Sequence, residues 1–345
     1  MDVLLIGAGM VAQTHVLALR DNKAGLRLAG VLGRDPQRTQ AFCAQASETV
    51  GHPVPAHTDI AEVLTNPPDM AILITPPNAR MDFVEALVEA GVRTLMEKPI
   101  ERTLDAARLI ADKYARSGTP AGVCFQHRTR AASQTLKAKL LAGDLGQVVH
   151  VEIRVPWWRD QAYYDEPGRG SYDRDGGGVM INQAIHSLDL ALWLAGPVAR
   201  VQAQMSTSPI HEMEGEDIAS ALLTFASGAS GVLSASTVAY PGGAESIVIT
   251  TAKAQVLLQG DTLRIDWHDG RQEMIAPDTG AGTGDGADPM AFSHGWHQSV
   301  IEDFARAVRE GAAPLVPLDE ALHVHAVIHA MEQAARTHTL TDVLT

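Results

Sequence analysis

Two stretches of the chain carry side chains whose types and spacing could perform chemistry on a small molecule. In the first, Glu97-Lys98-Pro99 follows a short apolar run, so an ammonium group stands beside a carboxylate at the end of a predicted strand. A lysine in such a place is usually a surface residue that extends its ammonium into water. Lys98 differs because it lies between Glu97 and a proline, on the edge where parallel sheets bind ligands.

The second stretch, Asp175–Asp189, begins with three consecutive glycines that allow close approach by a ligand. An apolar periodic run over Val179–Leu194 follows and is ended by a Gly-Pro pair, which predicts a helix. Asn182, His186 and Asp189 are four and three residues apart, so we expect them on roughly one helical face. His186 is either a core histidine bonded to Asp189 or a group that acts in the reaction, and this stretch alone leaves both open.

The elements that must position Lys98 form an alternating series in the first third of the chain. The predicted strands and helices are strand 3–6, a helix to residue 19, strand 26–32, strand 70–74, helix 81–90, strand 92–96, helix 104–117 and strand 121–125. Such alternation is typical of a doubly wound parallel sheet that binds ligands at the carboxyl ends of its strands. The predicted fold class therefore begins with an α/β domain.

The first turn of this series has the G-x-G-x-x-A pattern of dinucleotide sites, Gly7-Ala-Gly9-Met10-Val11-Ala12. Its glycines let the backbone approach a pyrophosphate, and the following helix offers its N-terminal amides. After the second strand, Arg34 could pair with the 2′-phosphate of NADP, whereas Asp35 could contact the ribose of NAD; NADP is favoured over NAD. The predicted cofactor-binding residues are Gly7, Gly9, Met10, Val11, Arg34, Thr75, Pro76, Glu97 and Lys98.

Composition restricts the class of protein. The 345 residues predict two domains, and the net charge of −14 argues against nucleic acid or an anionic membrane as a partner. The start of the chain has no basic segment before its first strand, so we expect no signal peptide and a cytoplasmic protein. His325 and His329 have a spacing compatible with a metal but no evident third ligand, so no metal site is predicted.

Taken together, Gly7-x-Gly9, Thr75-Pro-Pro, Glu97-Lys98-Pro99 and the glycine-rich stretch with His186 resemble the Gfo/Idh/MocA oxidoreductases over nearly the whole chain. The resemblance implies an N-terminal Rossmann domain, placed at 1–125, and a C-terminal α+β domain, placed at 126–345. It also implies a nicotinamide cofactor, NAD or NADP, and a sugar, sugar acid or cyclitol hydroxyl as the group that is oxidised. The open sheet of such a C-terminal domain binds substrate and often packs in oligomers.

The resemblance also implies roles for single residues. Lys98 and His186 match the usual catalytic lysine and histidine of that family. Asn182 stands where an aspartate is common; an amide cannot take a proton, which favours His186 as the base. Arg80 stands where relatives often have a histidine after Thr-Pro-Pro, and no role is carried over to it. Two alternatives are an NAD-dependent glycosidase that uses transient oxidation and a cofactor-binding regulator without turnover.

The second domain contains a loop over Pro156–Arg169 that holds four of the sixteen aromatic residues. Aromatic rings and arginines suit stacking on sugars and pairing with carboxylate or phosphate, although buried Trp rings could simply anchor the loop. Six short strands between 199 and 266 predict a largely antiparallel sheet that could pair with another subunit, as a homodimer or homotetramer. The predicted substrate-binding residues are Gln126, Arg128, Trp158, Arg159, Tyr163, Arg169, Asn182 and His186. Residues 278–289 are of low complexity, and a solvated loop is favoured over a calcium site there.

Overall fold

The structure, a computed structural model, describes residues 1–276 and 292–344. The first part of the chain alternates strands and helices, as the sequence predicts. These elements are β1 (Asp2–Ile6), α1 (Ala12–Asp21), β2 (Arg27–Leu32), α2 (Pro36–Val50), β3 (Ala56–His57), α3 (Ile60–Val63), β4 (Met70–Leu73), α4 (Met81–Glu89), β5 (Arg93–Glu97), α5 (Leu104–Ser117) and β6 (Ala121–Cys124). The elements α2, β3 and α3 were not among the predicted ones; α2 buries only Thr39, Cys43 and Ala46, so its apolar period is weak.

Strands β1 to β6 form a parallel sheet in the order β3-β2-β1-β4-β5-β6. All four residues of β4 are buried, as expected for a parallel strand that is covered on both faces. Because β1, β4 and β5 are neighbours and run in the same direction, their carboxyl ends lie at one edge of the sheet. Gly7 and Lys98 directly follow β1 and β5, and Thr75 lies two residues after the end of β4.

The rest of the chain supplies a second sheet and the remaining helices. Up to residue 276 the elements are α6 (Ala131–Leu141), β7 (Val148–Pro156), α7 (Gln161–Tyr164), α8 (Ile185–Ala195), β8 (Val198–Ser206), β9 (Ile218–Phe225), β10 (Ser230–Ser236), β11 (Ser246–Thr251), β12 (Ala254–Gln259), β13 (Thr262–Trp267) and β14 (Gln272–Ile275). From residue 292 onward they are α9 (His294–Glu310), α10 (Leu318–Thr337) and β15 (Thr341–Asp342).

Within the described residues the second sheet has nine strands in the order β14-β13-β12-β11-β7-β10-β9-β8-β15. Its pairs are antiparallel except for β7 and β10, which are parallel, so the prediction of a largely antiparallel sheet is confirmed. Strand β7 alternates buried Val151, Ile153 and Val155 with exposed Glu152 and Arg154, which gives the sheet one apolar face. Helix α8 packs against β7 and β11.

The compact units of the structure differ from the predicted domains 1–125 and 126–345. One unit contains Met1–Glu101, Asp105–Gln126 and Ser293–Leu322; the other contains Arg102–Leu104 and the described parts of His127–Phe292 and His323–Thr345. Helix α9 belongs to the first unit because Val300, Ile301 and Phe304 lie in the same apolar core as β1 and α1. A single domain boundary in the sequence cannot describe this arrangement, because residues 293–322 belong again to the first unit.

Two further features concern sequence predictions. Among the helices of residues 1–276 and 292–344, none has both the length and the apolar character that a membrane span requires. The low-complexity segment 278–289 lies outside the described residues.

Candidate active site

The glycine-rich turn after β1 has the backbone that a dinucleotide site needs. Gly7 has φ +112°, and a Cβ there would lie 3.0 Å from Cγ1 of Ile74, so both its conformation and its surroundings require glycine. Gly9 faces open space and Met10 is exposed. Val11 provides the N-cap of α1 without a side-chain hydrogen bond, and the N–H groups of Ala12 and Thr14 donate to the carbonyl oxygens of Gly9 and Val11 at 3.0 and 3.1 Å. The positive end of the helix dipole still faces the glycine turn.

The neighbouring strand ends complete this edge of the first unit. Thr75 follows β4 and has a buried Oγ1 atom with no hydrogen-bond partner in the described residues, and Pro76 is half-buried beside it. Arg34 is exposed after β2, whereas Oδ1 of Asp35 accepts the N–H groups of Gln37 and Arg38 as the N-cap of α2. Asp35 is thus engaged in capping a helix. A glycine turn at a helix N-terminus, the Thr75 hydroxyl without a hydrogen-bond partner in the described part of the chain and an exposed arginine fit a dinucleotide.

Glu97 lies under this edge as a buried carboxylate held by two histidines. Its Oε1 atom lies 2.9 Å from Nε2 of His15 and 3.5 Å from Nε2 of His297. Burial raises the pKa of Glu97, but the hydrogen bonds with His15 and His297 outweigh burial and hold that pKa well below its usual value. Burial lowers the pKa of His297, while the hydrogen bond with Glu97 acts to raise it. The half-buried Lys98 follows directly, and its backbone N–H donates to Oε2 of Glu97 at 3.2 Å.

The same three side chains are the group in the described residues whose types could hold a metal ion, with ligand atoms within 4.8 Å of one another. A tetrahedral zinc ion with bonds of about 2.0–2.1 Å would separate its ligand atoms by about 3.3 Å. The 2.9 Å contact between His15 and Glu97 is shorter than that and has the length of a hydrogen bond. We therefore interpret the group as a hydrogen-bonded carboxylate.

In the second unit, the glycine-rich stretch packs closely against the backbone of Glu216. A Cβ at Gly178 would lie 1.8 Å from the carbonyl oxygen of Glu216, so only glycine fits. The backbone N–H groups of Gly178 and Met180 donate to the Glu216 carboxylate at 3.1 and 2.9 Å. Burial raises the pKa of Glu216, although these backbone hydrogen bonds act in the opposite direction. The carboxylate thereby caps the start of the segment that carries His186.

That segment is not the uniform helix that its apolar period predicts. One π-helical turn over Met180–Ala184 precedes α8, which changes the angular spacing between Asn182 and His186. Nδ2 of Asn182 donates to the carbonyl oxygens of Gly177 and Gly178 at 2.8 and 3.0 Å. The buried ring of His186 stacks on His127, with centroids 4.8 Å apart and planes 26° apart. The prediction that Asn182, His186 and Asp189 lie on one helical face assumed a uniform α-helix. The π-helical turn corrects this prediction, because Asn182 lies within that turn and His186 and Asp189 lie in α8.

Asp189 forms a buried ion pair with Arg128. The Nε and Nη2 atoms of Arg128 donate to the two carboxylate oxygens at 2.9 and 2.6 Å, and neither side chain is more than 1% exposed. The guanidinium also lies 5.6 Å from the centroid of the Trp193 ring. This pairing gives Arg128 a structural role in place of the predicted substrate contact, because a fully paired, buried guanidinium has no surface to offer a ligand.

The aromatic loop divides into an anchor and an accessible part. Trp157 is buried, and the guanidinium of the buried Arg159 lies 5.3 Å from its ring, so these two residues anchor the loop. Trp158 and Tyr163 are half-buried, and the guanidinium of Arg169 lies 4.4 Å from the Tyr163 ring. Of the predicted substrate-binding arginines, Arg169 is thus the more accessible one. The sequence left open whether this loop is anchored by buried rings or presents residues to a ligand. The structure has buried residues that anchor the loop and half-buried residues that remain accessible.

Sequence reasoning missed two polar groups near His186. His127 stacks on His186, and its position directly after Gln126 at the end of the β6 segment was the available signal. Gln183 is buried, its Nε2 donates to the hydroxyl of Tyr163 at 3.2 Å, and its Oε1 has no partner in the described residues. Its position in the sequence, between the predicted site residues Asn182 and His186, could have indicated that Gln183 lies near the site. Gln126 itself is buried and lies in the first unit.

Comparisons with known proteins bear on both units. A family model described as "Oxidoreductase family, NAD-binding Rossmann fold" matches residues 1–125, and one described as "GFO/IDH/MocA C-terminal domain" matches residues 133–257. The chain is 26% identical over 323 residues to scyllo-inositol 2-dehydrogenase (NAD(+)) of Bacillus subtilis, covering 90% of this chain and 87% of that protein. It is 31% identical over 175 residues to the uncharacterized protein y4oX of Sinorhizobium fredii, covering 50% of this chain and 48% of that protein.

Solved structures share the fold over the whole chain. The WlbA dehydrogenase from Chromobacterium violaceum, in complex with NADH and UDP-GlcNAcA, has a TM-score of 0.83 at 27% identity and covers 100% of this chain and 96% of that one. A levoglucosan dehydrogenase in complex with NADH and levoglucosan has a TM-score of 0.87 at 19% identity, with 100% of both chains covered.

Proposed function

The chain belongs to the Gfo/Idh/MocA oxidoreductase family, and we propose that Lys98 and His186 serve its oxidation of a sugar, sugar acid or cyclitol hydroxyl. The proposal rests on the fact that the carboxyl ends of three adjacent strands lie at one edge of the parallel sheet. The glycine turn after β1, Thr75 after β4 and Lys98 after β5 follow three adjacent strands whose carboxyl ends coincide. This shared edge supports the proposal that the Lys98 ammonium lies beside the nicotinamide end of a bound dinucleotide.

The nicotinamide, when bound, supplies the acceptor for the hydride that leaves the substrate carbon. The proposed residues for holding the dinucleotide are Gly7, Gly9, Met10, Val11, Thr75 and Pro76, with Lys98 at the end of the same edge. Glu97, which the sequence also predicts as a cofactor ligand, is buried and engaged with His15 and His297, so it supports this edge from within. The ammonium of Lys98 holds the reacting oxygen and stabilises the negative charge that develops on it. The carboxylate of Glu97, fixed from two sides by His15 and His297, holds the backbone from which Lys98 extends.

His186 is the proposed base that takes the hydroxyl proton during oxidation and returns it during reduction. Its ring is held against His127, and the segment before it is fixed by Glu216. Asn182 carries no titratable group, and its amide holds the carbonyl groups of the glycine segment. We therefore assign Asn182 to positioning and the proton transfer to His186.

The substrate class follows from the accessible part of the aromatic loop. Trp158 and Tyr163 offer half-buried rings for the apolar face of a sugar, and the half-buried Arg169, which also pairs with Glu166, adds a cation for a carboxylate or phosphate. The relative with UDP-GlcNAcA bound carries a sugar acid on a nucleotide, whereas other relatives are named inositol dehydrogenases. A substrate with a ring and an acidic group fits the loop.

NADP is the proposed cofactor in preference to NAD. No acidic residue occurs at the tip of β2 within Leu32–Arg34, and Arg34 is exposed there. Asp35, the alternative ribose ligand, caps α2 instead. An arginine in this place suits a 2′-phosphate, and an acidic residue would suit a free ribose hydroxyl.

The test is an absorbance screen at the reduced-nicotinamide band, with both cofactors against sugars, uronates, nucleotide sugars and inositols. On the confirmed substrate we expect Lys98→Met and His186→Gln each to lower kcat by about 10²–10⁴-fold, the usual contribution of a positioned acid or base. Lys23→Met and His268→Gln, which change exposed side chains of the same types, serve as controls.

Near-normal turnover in either variant would remove the role of that residue. Glycoside cleavage without net reduction of the cofactor would favour an NAD-dependent glycosidase. Cofactor binding without turnover of any compound in the panel would favour a regulator.

A further inference from the structure

Arg80 is a buried cation whose partners are backbone carbonyl groups. It is the N-cap residue of α4, and its side chain is 2% exposed. Its Nε and Nη2 atoms donate to the carbonyl oxygen of Thr75 at 3.2 and 3.1 Å. Its Nη1 atom donates to the carbonyl oxygens of Glu97 and Pro99, and to that of Ile100 at 3.2 Å.

The carbonyl groups that Arg80 binds surround one residue. Glu97 precedes Lys98, and Pro99 and Ile100 follow it, so three of the four acceptors belong to the backbone on either side of the lysine. The fourth acceptor belongs to Thr75 at the end of β4, the strand next to β5. One guanidinium therefore ties together the two strand ends that carry the orphaned Thr75 hydroxyl and the ammonium of Lys98.

Arg80 keeps its positive charge in this buried position. Burial lowers the pKa of Arg80 to about 10, while the nearby Glu97 and Glu101 carboxylates act to raise it. The side chain therefore remains protonated at neutral pH, and a protonated guanidinium donates to carbonyl oxygens more strongly than a neutral group does. Its planar fork of five N–H groups suits several acceptors in fixed directions, which the single ammonium of a lysine cannot match.

We infer that Arg80 is a positioning residue for Lys98, one that sets the direction of the lysine side chain by fixing the carbonyl groups before and after it. The inference rests on the proposed function, in which Lys98 holds the reacting oxygen. A shift of about 1 Å in such a group costs about 10²-fold in rate. Arg80 touches neither substrate nor cofactor in this role and acts through the backbone alone.

The test compares Arg80→Lys, Lys98→Met and the double variant in a double-mutant cycle of kcat. We expect Arg80→Lys to lower kcat by about 10²-fold, with a smaller loss of cofactor affinity, because three of the four carbonyl acceptors of Arg80 surround Lys98 and one belongs to Thr75. In the Lys98→Met background the same substitution has no further effect, since the group that it positions is gone. Val84→Ala, which truncates a buried side chain of the same helix and removes none of the hydrogen bonds to these carbonyl groups, is the matched control for loss of stability.

Two results would overturn the inference. One is an equal loss of kcat from Arg80→Lys with and without Lys98. The other is a loss no larger than that of Val84→Ala at a comparable drop in melting temperature. If Arg80→Lys does not fold or the double variant is too slow to measure, Arg80→Gln is compared with Val84→Ala by its split between kcat and cofactor affinity. A normal rate of Lys98→Met alone would instead contradict the proposed function.

Discussion

At the scale of single residues, the charged groups divide into buried pairs and accessible cations. Arg128 pairs with Asp189, and Arg130 pairs with Glu245 at 2.7 Å, all with side chains no more than 5% exposed. Removing one partner of such a pair costs about 3–5 kcal/mol because the other charge is left buried and alone. Arg34, by contrast, is exposed, so its charge is available to a ligand.

Changing Arg34 to alanine tests the proposed cofactor preference. We expect the KM for NADP to rise by about 10-fold or more, the value of a charge-assisted contact with a 2′-phosphate, and the KM for NAD to stay within about 2-fold. Steady-state kinetics with both cofactors measure the ratio. Arg116→Ala, an exposed arginine in the last turn of α5, is the control. An unchanged ratio in Arg34→Ala would contradict the NADP preference.

At the scale of elements, carboxylates hold the glycine segment and the helix beside it. Glu216 caps the π-helical turn, and with Glu332 of α10 it lines a cleft of 330 Å³ that also contains Glu214 and Arg336. Burial and then the charge of Glu216 raise the pKa of Glu332 to about 7, while Arg336 acts to lower it. The ionised form of Glu332 is therefore disfavoured in the folded chain.

This cleft predicts a pH-dependent stability. Because the pKa of Glu332 is higher in the folded chain, its protonated form supports folding below about 4.5, the ordinary value, and that support is lost as pH rises to about 7. Glu332→Gln is always neutral, so its gain in stability over the parent chain should be larger at about pH 8 than at about pH 5. We expect a difference of about 1 kcal/mol, reduced from the full linkage value because the side chain keeps 33% exposure.

Urea denaturation at the two pH values measures the gain. Glu212→Gln, which neutralises an exposed carboxylate of the same unit, should give no comparable difference. An equal effect of Glu332→Gln at both pH values would show that the cleft does not shift this carboxyl group.

At the scale of the whole molecule, the outer face of the second sheet carries a row of side chains set by strand register. Leu222, Val232, Glu152, Val248 and Leu257 are consecutive partners across β9, β10, β7, β11 and β12. Leu222 is 59% exposed and the others are half-buried or exposed. A row of four aliphatic side chains on an open face is typical of a surface that pairs with a second copy. We propose that the chain forms a homodimer or homotetramer through this face.

Val248→Lys tests this proposal. In a single chain the new ammonium lies opposite Glu152 on the solvent face and is tolerated, whereas in a dry interface between sheets it would be buried. We expect a lower oligomeric mass by light scattering coupled to size-exclusion chromatography, with an unchanged circular dichroism spectrum. Gln45→Lys adds the same charge at an exposed position of α2 as a control. An oligomer of unchanged mass would exclude this face.

Much of the first unit could be predicted from sequence because its signals are local. The helix over Leu104–Ser117 was predicted with the ends that the structure has, and β1, β2, β4, β5 and β6 to within one residue at each end. Apolar period, glycine turns and strand-ending prolines act within a few residues of one another, so one sequence suffices to find them. The weakly patterned α2 and the π-helical turn lacked such a signal.

The sequence by itself determined the alternating elements, the dinucleotide turn and the residue types at the strand ends. Only the tertiary structure decided which charges are paired: Arg128 with Asp189 across 61 residues, and His15 with Glu97 across 82. It also decided that α9 completes the first core and that Arg80 binds the carbonyl groups around Lys98. Contacts between distant segments depend on how the elements pack, and packing leaves no periodic signal in the chain that precedes or follows each residue.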